Sequence, residues 1–482
     1  MPLLVTNIER QTSNVSNKTF EPTELLASKR ILRDRPPRLS IRPARNETYA
    51  HSIYNFTRWS IKMKAYNVDD FAALIGVDWA DKKHDICEHP KNTEQYHYTV
   101  IKHKPEALHK WAMDLKQRYP NQKIAVVCEL KKGPLIYALA KYDHLVLFTV
   151  NPSAVANYRK AFSPSGAKND PTDAFIQTEI IKLHMDKLSV IEPESSSMRA
   201  LAQLVEYRRS LVQDSVDLSN KITATLKNYY PQALEWFKEK DTFIFCDFIS
   251  KWPSLTAVKR ARKQTLVDFF NRHNSHYETV NNARLLSIKS ALPLTEDEGV
   301  IAPNQLLIEV LITQFKVLLK GIEQLDKTIK QMYKKQNDKA IFDSLPGAGP
   351  QLAPRLLVAF GHNRERYTDA SQMQKYAGIA PVIESSGKKT WTHWRYSCPT
   401  FLRQTFVEWA GFSIRYSFWA KAYYEQQKSK GKPHNSIIRS LAFKWIRIVF
   451  RCWKTNTPYD ESKYLEALKR RGSPLLKFAI NS

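Results

Sequence analysis

The sequence predicts an α/β domain with a mixed sheet joined to two all-α regions, and three observations carry that class. Between residues 71 and 190, short apolar runs alternate with helical spacing. Between 195 and 340 there is no strand signal, and leucines recur every seven residues. From residue 341 onward, basic and aromatic residues interleave within helical segments. At 482 residues the chain is long enough for two to four domains, and 43% hydrophobic content is that of a globular protein. A net charge of +27 at pH 7 predicts a polyanionic partner, most often nucleic acid. No apolar run reaches the length of a membrane span, so no membrane partner is expected. The start, MPLLVTNIERQTSN, has neither a basic n-region nor an apolar h-region, so no secretory signal is expected. Cys87, Cys128, Cys246, Cys398 and Cys452 are far apart and form no C-x-x-C pair. That spacing excludes a zinc ribbon or disulfide scaffold and suits a reducing cytoplasm.

Taken in order, residues 1–70 read as a basic, unstructured extension. Lys29, Arg30, Arg33, Arg35, Arg38, Arg42 and Arg45 supply charge, and Pro36, Pro37 and Pro43 prevent a continuous helix. A nucleic-acid arm and a simple solubilising tail are both open. In 71–190, Ala73–Asp78 is a buried strand ending in a carboxylate, and His84–Cys87 and Tyr96–Val100 continue it as a meander. A helix over 104–119 follows, then the strand Ile124–Glu129, again ending in an acid, a helix from about Pro134, and the strand His144–Val150. In 191–340, Leu311, Leu318, Leu325 and Met332 repeat with Ile308, Phe315, Ile322 and Ile329 on the paired heptad position, as do Leu204, Leu211 and Leu218 earlier. The pattern predicts a coiled-coil arm, or else two amphipathic helices packed within one subunit. Residues 341–460 form the third region, with 461–482 as a tail. Residues 343–482 carry 23 lysines and arginines against 9 carboxylates, and six of the 11 tryptophans: Trp391, Trp394, Trp409, Trp419, Trp445 and Trp453. These suit phosphate contact with base stacking, or an ordinary core beside solvated charge.

Chemistry is suggested first by carboxylates at strand ends. Asp78 and Glu129 can converge on one sheet edge, and Lys168-Asn169-Asp170-Pro171-Thr172-Asp173 places two more acids on one face of a helix start. Asp81 and Asp85 read as decoys beside Asp78. Four acids gathered in a basic protein call for hard divalent cations, with Mg²⁺ the natural choice and Mn²⁺ a substitute. Two such ions about 4 Å apart suit phosphodiester chemistry. Each acid also has a plainer role, such as a helix cap for Asp170. Second, Ser344-Leu-Pro-Gly347-Ala-Gly349-Pro350 runs into a helix and can offer backbone N–H groups to a phosphate in the manner of a helix-hairpin-helix element, or serve as a plain turn. No G-K-[ST] follows, so it is no P-loop. Third, Ser385-Ser386-Gly387-Lys388-Lys389 places a hydroxyl in an electropositive loop, suited to attack on phosphorus, or forms a surface turn.

These pieces in this order resemble the DEDD-type transposases of the bacterial insertion-sequence family one-ten, relatives of the Piv invertase. The motifs that carry the resemblance are IGVDWADKKHDIC, VVCE, KNDPTDA, LPGAGPQLAPRLLVAFG and YAGIAPVIESSGKK, within about residues 73–455. The resemblance implies a RuvC-like (RNase H-like) domain in which Asp78, Glu129, Asp170 and Asp173 bind metal. It also implies a C-terminal transposase domain with a nucleophilic serine, Ser386 by position or alternatively Ser385. It further implies double-stranded DNA, donor and target, as substrate; a covalent serine–phosphate link; a dimer or tetramer; and a structured non-coding bridge RNA as guide. The setting would be the nucleoid of a bacterial cytoplasm. Lys388, Lys389, Gly347, Gly349, Arg395 and Arg403 are the expected nucleic-acid contacts. Two departures stand out: residues 1–70 have no counterpart, and His393–Pro399 replaces the usual basic-glycine turn. A hydrolytic RuvC-type junction nuclease and a non-catalytic nucleic-acid scaffold are the alternatives.

Overall fold

The computed structural model describes residues 66–130, 132–162, 170–191, 194–387 and 389–476. The basic stretch between Lys29 and Arg45, and Lys388, lie outside the described residues.

The N-terminal domain is built on β1 (Phe71–Trp79), β2 (Lys83–Pro90), β3 (His97–Lys102), α1 (Pro105–Arg118), β4 (Lys123–Cys128), α2 (Pro134–Leu139), β5 (Leu145–Thr149), α3 (Pro152–Phe162), α4 (Asp170–His184) and β6 (Ser189–Val190). The six strands lie in the order β3-β2-β1-β4-β5-β6. β1 pairs antiparallel with β2 and parallel with β4, and β5 continues the parallel set. This is the mixed sheet expected from the meander and the later apolar strands, and it is consistent with a RuvC-like domain. β1 reads as an unbroken apolar run because it is covered on both faces. Ala73, Ile75 and Val77 face α1 and α2, together with Ile124 and Val126. Leu74 faces α3 and α4 with Ala125, Val127, Ile176 and Ile180. Each buried valine, leucine or isoleucine among them contributes about 1.5–3 kcal/mol.

α4 lies on β1 with no room to spare. A Cβ built on Gly76 would stand 2.1 Å from the Ala174 carbonyl oxygen, so only glycine admits the helix backbone here. The Thr178 hydroxyl accepts the Gly76 N–H at 2.9 Å and donates to the Cys87 carbonyl at 2.9 Å. One turn further on, Lys182 Nζ reaches His89 Nε2 at 3.0 Å, and His89 is the register partner of Leu74. The helix therefore runs antiparallel to β1, with its N-terminus at the strand's carboxyl end.

The middle of the chain holds α5 (Ser196–Tyr229), α6 (Gln232–Trp236), α7 (Phe243–Lys251), α8 (Leu255–Lys259), α9 (Lys263–Arg272), α10 (Glu278–Ser290) and α11 (Glu298–Lys334). The leucine repeats belong to α5 and α11, which pack on each other within the subunit and are tied by an Arg208–Asp326 ion pair toward the end that meets the C-terminal core. The two heptad-bearing helices thus pack as a pair within the subunit. One end of the pair joins the core of α6–α10 through Ile222, Leu226, Ile308 and Phe315. The other joins the C-terminal core through Met198, Leu201 and Ile329.

That C-terminal core gathers α12 (Lys339–Asp343), α13 (Gly349–Phe360), α14 (Ala370–Tyr376), α15 (Thr400–Ser413), α16 (Phe418–Ser429), α17 (His434–Lys454) and α18 (Glu461–Arg470), with a separate hairpin of β7 (Val382–Ser386) and β8 (Lys389–His393). The segment expected as a tail thus carries a helix, whose Tyr464, Leu465 and Leu468 pack on the core. Trp409, Trp419, Trp445 and Trp453 are fully buried, so they hold this domain together and are closed to nucleic-acid bases. Each indole N–H is satisfied internally: Trp409 donates to Pro346 O, Trp419 to Tyr459 Oη, Trp445 to Ser413 Oγ and Trp453 to Gly361 O. Helical spacing put them on the inward faces of α15–α17, where area burial outweighs any stacking role. Trp391 and Trp394 remain accessible. Among the described residues no helix is long and apolar enough to cross a membrane.

Gly76→Ala forces backbone against backbone. It is expected to lower domain stability by about 3 kcal/mol, the upper end for overpacking, measured as a shift of the urea midpoint with unchanged m-value.

Candidate functional site

Register and alternation bring the strand-end acids together. Val77 pairs with Cys128 across parallel β1 and β4, so Asp78 and Glu129 are the next residues on two adjoining strands. Side chains alternate along a strand, which puts Asp78 on the α3/α4 face with Leu74, and Glu129 on the same face after Ala125 and Val127. Gln177, with its amide nitrogen turned to the sheet, donates to Val77 O at 3.0 Å and Val127 O at 3.2 Å. Asp173 lies one turn before Gln177 and shares its helix face, so the same anchor carries Asp173 to the strand ends.

Asp173 is only 3% exposed, and its carboxylate meets the Arg159 guanidinium from α3. Asp170 opens α4 on the same turn; its side chain lies outside what is described. Among the described residues no group of three or more His, Cys, Asp or Glu is arranged to hold a metal ion as it stands. The side chains that register and helix phase assign to this end of the sheet are carboxylates, the donor type a hard divalent cation prefers. Buried Asp173 already takes a cation, in the form of a guanidinium. The carboxylate chemistry would suit a hard divalent cation in general, with Arg159 as the group that must share or yield Asp173.

Two neighbours were not legible as part of this edge. Asp85, set aside as a decoy, is the direct cross-strand partner of Asp78, is buried, and has its charge met by Lys83 at 3.2 Å. Register alone could have revealed it, since opposite residues of an antiparallel pair share a face. His84 is fully buried opposite Trp79, and Trp79 packs with the α1/α2 core. Its Nε2 lies 2.9 Å from His103 Nδ1, and burial, aided by His103, pulls its pKa down to about 4. It is a neutral core histidine on the far side of the sheet from Asp78.

The serine pair lies in a hairpin rather than in the loop expected from its glycine and lysines. Ser386 is the register partner of Lys389, and Ser385 of Thr390, with their hydroxyls 3.4 Å apart in the second pair. β-branched Val382, Ile383, Thr390 and Thr392 favour the strands, and Gly387, with φ 55°, supplies the left-handed turn. Ser386 and Lys389 are therefore cross-strand partners on one face at the exposed tip. Arg395 Nε donates to Ala380 O, and Arg403 Nη1 to Arg395 O, each at 3.2 Å, which closes the foot of the hairpin.

The two glycines before α13 differ. Gly347 (φ 73°) is packed so that a Cβ would come within 3.0 Å of the Phe412 backbone, which makes it a packing glycine. Gly349 (φ 53°) is exposed at the helix start with open space around it, so a phosphate could approach its N–H.

Comparison with known proteins separates the same two regions. A family described as DEDD_Tnp_IS110, Transposase, matches residues 75–231, which include the strand-end acids. A second, described as Transposase IS116/IS110/IS902 family, matches residues 339–425, which include the glycine turn and the serine hairpin. The chain is 26% identical over 424 residues to the mini-circle putative transposase for IS117 of Streptomyces coelicolor, covering 85% of this chain and 99% of that protein. It is 22% identical over 349 residues to the insertion element IS116 uncharacterized 44.8 kDa protein of Streptomyces clavuligerus, covering 71% and 81%. Over 318 residues it is 22% identical to the insertion element IS110 uncharacterized 43.6 kDa protein of Streptomyces coelicolor, covering 62% and 73%.

The buried ion pair at this edge has a direct test. Arg159→Met leaves Asp173 buried without a partner and is expected to cost about 3 kcal/mol. The double variant Arg159→Met/Asp173→Asn should recover most of that loss in a thermal-unfolding double-mutant cycle.

Proposed function

We propose, for a chain that belongs to the IS110/IS116 family of transposases, that DNA strands are cut and rejoined by Ser386 acting with a carboxylate-held metal site. The reading is supported by the β1/β4 register, which sets Asp78 and Glu129 at adjoining strand ends, and by Gln177, which anchors the helix turn that follows Asp173 to the same strands. As a transposase the protein is an enzyme of DNA strand cleavage and transfer. Asp78, Glu129, Asp170 and Asp173 would hold one or two Mg²⁺ ions, with Mn²⁺ able to replace them. Bound there, divalent ions supply charge stabilisation at a phosphodiester undergoing displacement.

The residues of the chain do the rest. Ser386 Oγ attacks phosphorus, an Oγ–P bond forms, and one P–O ester bond to the strand breaks. The serine proton passes to a base, and the departing oxygen takes one up. One phosphodiester is replaced by another, so a strand hydroxyl can later attack the serine–phosphate and rejoin without water or nucleotide triphosphate. Lys389, opposite Ser386 in the hairpin, favours the alkoxide and attracts the phosphate. Ser385, on the other face, is the alternative nucleophile.

Partners follow from charge and family. Donor and target DNA would lie along the basic C-terminal domain, where Lys388, Lys389, Gly349, Arg395 and Arg403 offer phosphate contacts. Assembly as a dimer or tetramer would let the serine of one subunit work with the carboxylates of another, and a structured bridge RNA would select the sites by base pairing. The hydrolytic junction nuclease remains the second reading, favoured by the carboxylates alone.

Ser386→Ala should abolish the protein-linked DNA species on a denaturing gel, and Asp78→Asn should abolish strand cleavage altogether. Cleavage that continues in Ser386→Ala with free DNA ends would establish the hydrolytic reading. The RNA has its own check: protein purified at low salt should carry RNA that elutes at high salt. Nucleic-acid-free protein that also fails to bind RNA from the flanks of its gene would contradict a guide.

A further inference from the structure

The foot of the serine hairpin has an unbalanced charge. Trp394 follows β8 directly, and two guanidinium groups lie over its ring: Arg439 from α17, with Cζ 4.1 Å from the ring centroid, and Arg403 from α15, at 5.2 Å. Both side chains are half-buried, and among the described residues neither forms an ion pair with a carboxylate. Their visible polar partners are backbone carbonyls: Asn435 O for Arg439 Nε and Arg395 O for Arg403 Nη1, each at 3.2 Å. Each guanidinium has five N–H donors, so most remain available for an acceptor. Burial depresses the Arg439 pKa, the direction expected when a cation is desolvated without an anion beside it.

The ring offsets part of this cost through its quadrupole. It cannot neutralise two like charges gathered on one indole. An oxyanion that takes N–H donors from both would neutralise them, and guanidinium forks match phosphate in shape and charge. Close to Trp394 in the chain, Tyr396 is 80% exposed and Trp391 38% exposed, so both rings are open to bases or sugars.

We infer that Trp394, Arg403 and Arg439 form a binding site for a DNA backbone phosphate at the foot of the hairpin that carries Ser386. The indole is the shelf that holds both guanidinium planes, and Arg403, through Arg395, ties the bound phosphate to the hairpin's base. The phosphate is thereby linked to the direction in which the hairpin points. This last step rests on the serine reading; the phosphate site does not.

The test uses the full-length chain and a short DNA duplex of arbitrary sequence, because backbone contacts are independent of sequence. Affinity is read by fluorescence anisotropy across a salt series. Losing one phosphate contact lowers the slope of log K against log salt by about 0.9. Arg439→Met, which keeps packing volume and removes the charge, should flatten the slope by that amount, and Arg439→Lys should restore it. Parent-like slope in Arg439→Met would overturn the site, whatever the variant's melting temperature. If Arg439→Met does not fold, Arg403→Met carries the same expectation. Ser386→Ala should keep the parent slope, so failure of the phosphate site and failure of the serine nucleophile give different results.

Discussion

A helix can rest its backbone on the central strand of a sheet only where that strand lacks a Cβ, and Gly76 is that place. With Ala174 O where a methyl would be, α4 has one depth and one register on β1. Thr178 then closes hydrogen bonds to Gly76 and Cys87, and Gln177 to Val77 and Val127. The helix side of the acidic edge depends on this contact. Strand pairing alone aligns Asp78 with Glu129, but only the seated helix brings Asp173 to the same face. A shift in that seating would move the helix acids away from the strand acids.

The charge distribution follows a consistent logic. A chain of net +27 is drawn to polyanions everywhere, so its acids need protection from their own surroundings as well as from one another. At the sheet edge Asp173 is paired with Arg159 and Asp85 with Lys83. At the serine hairpin the balance is reversed: Lys389, Arg403 and Arg439 stand without carboxylate partners in the described ion pairs. Carboxylates thus gather at one end of the N-terminal sheet, and basic side chains gather at the foot of the serine hairpin.

What could be read from the sequence, and what could not, separates along physical lines. The strands of the N-terminal sheet were legible because a run such as ALIGVD is both too apolar for a surface and too short for a helix. The terminal acids were legible for the same reason, as charges at the ends of buried runs. Asp85 was not, because cross-strand pairing is invisible without register. The tryptophans misled because basic neighbours on a helix lie on its outer face while the indoles at helical spacing turn inward; only Trp391 and Trp394, near the hairpin, escape that rule. Gly387 correctly announced a turn at the serines, but the β-branched residues on either side of it turn the expected loop into paired strands. The heptads of α5 and α11 were real, and whether their partner lay in the same subunit could be told only from the fold.

The central claim is that one serine at the hairpin tip becomes covalently joined to DNA. Peptide mapping by mass spectrometry of a denatured, nuclease-trimmed reaction tests it most directly. The prediction is a nucleotide mass on the peptide spanning Ser385 and Ser386, localised to Ser386 by fragmentation. Cut DNA accompanied by no modified peptide, or by a nucleotide attached elsewhere in the chain, would contradict it.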